Sequence, residues 1–111
     1  MLDTYGFVTG KPGERVLISN GSEDKTYSGR IGSDGNVTNL MPFANRGGES
    51  VAVGPDGRVY IANGQVFIYA ADGSEAGRID VPERPLQLIF GGPKGRTLFI
   101  LAHHALFAVE I

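Results

Sequence analysis

TGKPGERVLIS (9–19), GPDGRVYIA (54–62) and GGPKGRTLFIL (91–101) are one motif written three times: a Gly/Pro turn, a charged residue, then an apolar run. Pro12, Pro55 and Pro93 mark the copies, 43 and then 38 residues apart. A period of about 40 to 50 residues is that of propeller blades or solenoid repeats. Outward from each copy the apolar runs stay short, rich in Val, Ile, Leu, Phe and Tyr, and bounded by Gly, Asn, Asp and Ser, the signature of strands joined by hairpins. The reading gives strands near 5–8, 15–19, 25–31 and 37–41, then 50–53, 58–62, 65–70 and 76–81, then 86–90, 97–101 and 105–110. Asn63-Gly64 reads as a two-residue hairpin turn, and Asp34-Gly35, Asp56-Gly57 and Asp72-Gly73 supply the residues that positive φ requires.

The predicted fold is therefore all-β: a partial β-propeller domain over 1–111, with blades roughly at 5–41, 48–81 and 85–111. Each blade is a four-stranded antiparallel sheet, the third short of its outer strand. Propellers use about four to eight blades, so three leave two apolar faces uncovered, and a face of that kind is an interaction surface. Two completions are open: a missing N-terminal half, since only Met1 to Thr4 precede the first inner strand, or a homo-dimer related by a two-fold axis.

Composition narrows the function classes. Seventeen of the 111 residues are Gly, about twice the ordinary usage of ~7%, as a chain of tight turns requires. Ten Lys and Arg against twelve Asp and Glu give a net charge of -2 with no basic cluster, which argues against nucleic acid as a partner. There is no Cys, so disulfides, thiolate metal sites and Cys nucleophiles are excluded. With neither a signal-like N-terminus nor an apolar run of span length, the expectation is a soluble cytoplasmic protein without membrane contact. Gly91 to Thr97 fails the phosphate-loop pattern and precedes a strand where that motif needs a helix.

From residue 48 to 111 the sequence resembles the last blades of the gluconolactonase and regucalcin (SMP-30/LRE-like) family. The resemblance rests on Val81-Pro82, Pro85 and Phe90-Gly91-Gly92 ahead of an apolar strand, and on a carboxylate, Glu49, followed by Ser50-Val51-Ala52-Val53 and an Asp-Gly turn. It implies a six-bladed propeller, of which this chain is about half, with one divalent cation, Ca²⁺ or similar, in the channel, and opening of sugar lactones. Such an ion takes hard oxygen ligands and can polarise a carbonyl or activate water. By register the family's acidic ligand of the penultimate blade falls on Glu49. The family's Asn ligand falls on Thr4 or Tyr5, and the third-blade position on Leu86, none of which replaces it. The family's general acid or base belongs to blades that this sequence does not contain, so no catalytic residue is assigned.

Loops that enter inner strands and loops that join second to third strands share one face of a propeller. Glu49, the Asn20 to Asp24 loop, Asn63, Arg84 and the His103-His104 pair are therefore expected around one mouth. The plain alternatives are a solvated Glu49, turn-filling histidines, and a solvated Asn20 to Asp24 turn, which lacks calcium-loop spacing. Two functions follow: part of a metal-dependent, gluconolactonase-like hydrolase acting on a lactone or sugar acid and competent only in a completed propeller, or a non-catalytic module that binds a ligand or partner through its loops or blade faces.

Overall fold

The computed structural model describes the backbone of residues 4–8 and all of residues 15–111, within which the chain forms eleven strands and no helix, hence none that could cross a membrane. They are β1 (Thr4–Val8), β2 (Arg15–Asn20), β3 (Lys25–Ile31), β4 (Val37–Ala44), β5 (Ser50–Val53), β6 (Val59–Asn63), β7 (Gln65–Tyr69), β8 (Glu75–Ile79), β9 (Pro85–Gly91), β10 (Thr97–Ala102) and β11 (Leu106–Glu110). The first Gly/Pro turn and the side chains of Thr4 and Tyr5 lie outside the described residues.

The strands form three antiparallel meanders, β1-β2-β3-β4, β5-β6-β7-β8 and β9-β10-β11, so the described residues make two four-stranded blades and one of three strands. The turns explain why the chain reverses where it does. In three of them an Asp accepts the backbone N–H two residues on, at 3.0–3.1 Å, from Asn36, Arg58 and Ser74. The Gly between adopts φ of 85°, 82° and 94° at Gly35, Gly57 and Gly73, a region in which a Cβ is strained. At the Asn63-Gly64 hairpin the turn is tighter than the sequence suggests: β6 runs through Asn63, β7 begins at Gln65, and Gly64 alone sits at the tip.

Alternation along each strand sends one set of side chains to each neighbouring blade. Leu17 and Ala44 meet Val51, Val59, Ile61 and Tyr69 between the first two blades. Ala52, Tyr60, Ala62 and Val66 meet Leu88, Leu98 and Ile100 between the second and third. Each fully buried Val, Leu or Ile side chain among them contributes about 1.5–3 kcal/mol. The inner strand β5 lies between β1 and β9, so the segments that lead into inner strands, residues 45–49 and 80–84, come together at one end of the blades.

Candidate functional site

The segment Gly47-Gly48-Glu49 threads between the first and second blades. Gly48 donates its N–H to Ser19 Oγ and accepts that hydroxyl through its carbonyl oxygen, both at 2.7 Å. A Cβ on Gly48 would stand 1.8 Å from the Ala62 carbonyl oxygen, and one on Gly47 would stand 2.1 Å from that of Asn20. Glycine is therefore required at both places by close backbone approach. Glu49 N–H then donates to Ala62 O at 2.9 Å, which fixes the point from which the Glu49 side chain leaves.

That side chain enters a cleft of about 260 Å³ whose walls include Gly21, Asp24, Gly47, Gly48, Asn63 and Arg84. Arg84 Nη2 donates to Glu49 Oε1. Glu49 Oε2 is buried and has no hydrogen-bond partner. Opposite, Asp24 holds a left-handed backbone (φ 55°). Its Oδ1 accepts Gly47 N–H at 3.1 Å and Asn63 Nδ2 at 2.9 Å, so one carboxylate oxygen spans two blades.

Of the residues expected at the mouth, Glu49, Asn63 and Arg84 line this cleft. Asn20 does not: its side chain turns into its own loop, with Oδ1 accepting the N–H groups of Ser22 and Glu23 at 3.1 Å and Nδ2 donating to Glu23 at 2.8 Å. His103 and His104 also stand off the cleft. They are exposed at the β10–β11 hairpin, stacked edge to face at 4.2 Å, with His104 N–H donating to Glu83 Oε1 at 2.7 Å. Asp24, at the end of the Asn20 to Asp24 loop expected at the mouth, is the acidic residue of that loop that lines the cleft, although the sequence does not single it out from its neighbours. Its local spacing reads as a solvated turn, whereas its partners Gly47 and Asn63 are 23 and 39 residues away. The available signal was the Gly47-Gly48 pair directly before Glu49, which marks a backbone squeezed between two blades.

Two carboxylates and one guanidinium thus face a small cleft. The donors are hard oxygens, as a Ca²⁺-type ion prefers, but such an ion takes six to eight, and among the described residues no three of His, Asp and Glu converge on one point. The set fits a cation as a contribution to its shell, with the unpartnered Glu49 Oε2 as the atom that lacks a counterpart.

Three antiparallel blades with their inner strands side by side define a partial β-propeller, with a polar cleft where β5 begins. The SMP-30/gluconolactonase/LRE-like family model matches residues 13–104. The chain belongs to that family. No curated protein matches it. Among solved structures it is similar to a gluconolactonase from Xanthomonas campestris, with a TM-score of 0.84 at 19% identity over 98% of this chain and 38% of that one. It is similar to a structural-genomics protein assigned to the gluconolactonases (TM-score 0.82, 23% identity, 96% of this chain and 38% of that one). It is also similar to a calcium-binding regucalcin from Agrobacterium tumefaciens (TM-score 0.75, 15% identity, 93% and 40%). At these identities the likeness establishes the β-propeller fold, and the chain spans about two fifths of the length of these structures.

Proposed function

We propose that this chain forms part of a gluconolactonase-like hydrolase of the family, in which Glu49 helps to hold a divalent cation and activity requires a completed propeller. The observation that carries the reading is Glu49 Oε2, buried at the cleft without a hydrogen-bond partner. A buried carboxylate oxygen without a donor costs free energy, and similarity to a calcium-binding regucalcin supports a cation of the Ca²⁺ kind as its counterpart. The residues that would hold it from this chain are Glu49 and, across the cleft, Asp24. When bound, such an ion polarises a lactone carbonyl or lowers the pKa of water.

The chain's own residues do the rest of the work that can be assigned. Ala62 O and the Ser19 hydroxyl fix the Gly48-Glu49 backbone, Arg84 balances the Glu49 charge, and Asp24 holds Asn63 at the rim. The substrate class is a sugar lactone or its acid, which suits a small polar cleft. The test is thermal: Ca²⁺ added to the full chain is expected to raise its melting temperature by mass action, by the equivalent of about 2.7 kcal/mol at a hundredfold excess over Kd. Glu49→Ala is expected to abolish the shift. No Ca²⁺-linked shift, or an equal shift in Glu49→Ala, sinks the reading, as does lactone opening that a chelator leaves intact.

A further inference from the structure

Arg84 is the one cationic side chain among the described residues that line the cleft. The backbone that carries it is fixed. Gln65 Oε1 accepts the Val81 N–H at 2.6 Å and Gln65 Nε2 donates to the Val81 carbonyl oxygen at 3.3 Å. Glu83 Oε1 accepts the His104 N–H at 2.7 Å, and Pro85 opens β9 directly after Arg84. The side chain itself is anchored at one point: it is 66% exposed, and among the described residues Glu49 Oε1 is its one hydrogen-bond acceptor. An ion pair so exposed is held weakly against solvent, and a long exposed side chain changes rotamer quickly with its backbone in place. Arg84 therefore answers one oxygen of Glu49 and leaves the other, Oε2, buried without a hydrogen-bond partner.

Charge decides what Arg84 does when Glu49 takes a cation. Among the lining residues Glu49 and Asp24 bring two negative charges and Arg84 one positive, a net −1. A divalent ion added beside Arg84 would leave the cleft at +1, whereas with Arg84 turned out to solvent the same ion leaves it neutral. We infer that Arg84 is a built-in competitor for the cation: it holds Glu49 in the metal-free state and gives up Oε1 when Glu49 becomes a ligand. The inference rests on the reading above that Glu49 binds the ion. Release of Oε1 frees a second carboxylate oxygen for an ion that takes about six to eight. Competition also sets the affinity, since a guanidinium and a doubly charged ion on one carboxylate repel enough, even at the dielectric constant of water, to weaken binding about tenfold.

The test is the Ca²⁺ dissociation constant of the full chain by isothermal titration calorimetry. Arg84→Gln is expected to bind Ca²⁺ about tenfold more tightly than the wild type, and Arg84→Lys, which keeps the charge, to remain within about threefold of it. Arg78→Gln removes an equal charge from the exposed Arg78 and Asp80 pair, outside the cleft, and screening by salt is expected to hold its effect below about twofold. If Arg84→Gln does not fold, Arg84→Met carries the test. Equal or weaker binding in the neutral variant, or a gain as large in Arg84→Lys or Arg78→Gln, overturns the inference. Binding that Glu49→Ala abolishes but Arg84→Gln leaves unchanged defeats this inference alone. Binding by neither the wild type nor Arg84→Gln defeats the functional reading, and this inference with it.

Discussion

The two joints between blades are built from different materials. Between the first and second, buried hydroxyls meet backbone: Ser19 bonds both ways with Gly48, and Thr26 Oγ1 donates to Arg46 O at 2.7 Å. Two arginines reinforce them, Arg15 donating to Ala71 O at 2.9 Å and Arg46 lying 3.6 Å over the Phe67 ring while bonding Tyr69 and Glu75. Between the second and third the filling is chiefly apolar, with Tyr60 and Phe90 edge to face at 5.1 Å. Hydrophobic burial is non-directional, so the second joint supplies cohesion. Hydrogen bonds require partner atoms at set positions, so the first joint sets where Gly47, Gly48 and Glu49 run, and with them the cleft.

The largest effect is expected from the apolar joint. Leu98→Ala, at a fully buried position, should cost about 4 kcal/mol in urea unfolding, since it deletes buried methyl groups and leaves a cavity. A cost below about 1 kcal/mol would break the contrast by showing that the third blade is loosely held. Ser19→Ala should cost less, about 2 kcal/mol, because it strands a buried N–H and a carbonyl on Gly48. It should also accelerate hydrogen exchange at the Gly48 amide, which Leu98→Ala, in the other joint, should affect less.

The smallest effect belongs to neither joint. The Asn36 backbone N–H and then its side chain hold the Asp34 carboxyl below its ordinary value of 3.8, and the Ser74 hydroxyl and then its N–H do so for Asp72. A depressed native pKa contributes stability that is present above the unfolded value near 3.8 and lost as pH falls through the native one. Both groups are exposed turn residues, so a shallow acid limb below about pH 4 is expected in the melting temperature. It should flatten in Asp34→Asn with Asp72→Asn, and an unchanged limb would show that these two turns do not carry it.

The blades were legible because turns punctuate them. Asp34-Gly35, Asp56-Gly57 and Asp72-Gly73 announce reversals through chemistry confined to three residues, and each forms the bond its residues suggest. The site was legible only where it follows the repeat. Glu49 is singled out because the family resemblance implies an acidic ligand ahead of that inner strand, whereas Asp24 depends on atoms of another blade, which no local pattern encodes. Asn20 shows the opposite case: an Asn beside a turn satisfies its own loop first, since Ser22 and Glu23 are nearer than any channel. The histidines follow the hairpin they sit on, which carries them beside Glu83 rather than over the cleft.

The Ser19 and Gly48 bond also has a consequence for the order in which the molecule can be finished during synthesis. The hydroxyls of Ser19 and Thr26 belong to the first blade, yet their partners are Gly48 and Arg46, which leave the ribosome after all four of its strands. The first blade thus emerges with two buried-to-be hydroxyls still facing water, and is locked only when the opening of the second arrives. Ser50 and Leu88 repeat the delay one blade later. Each blade is completed by its successor, and assembly advances as a succession of latches closed from behind.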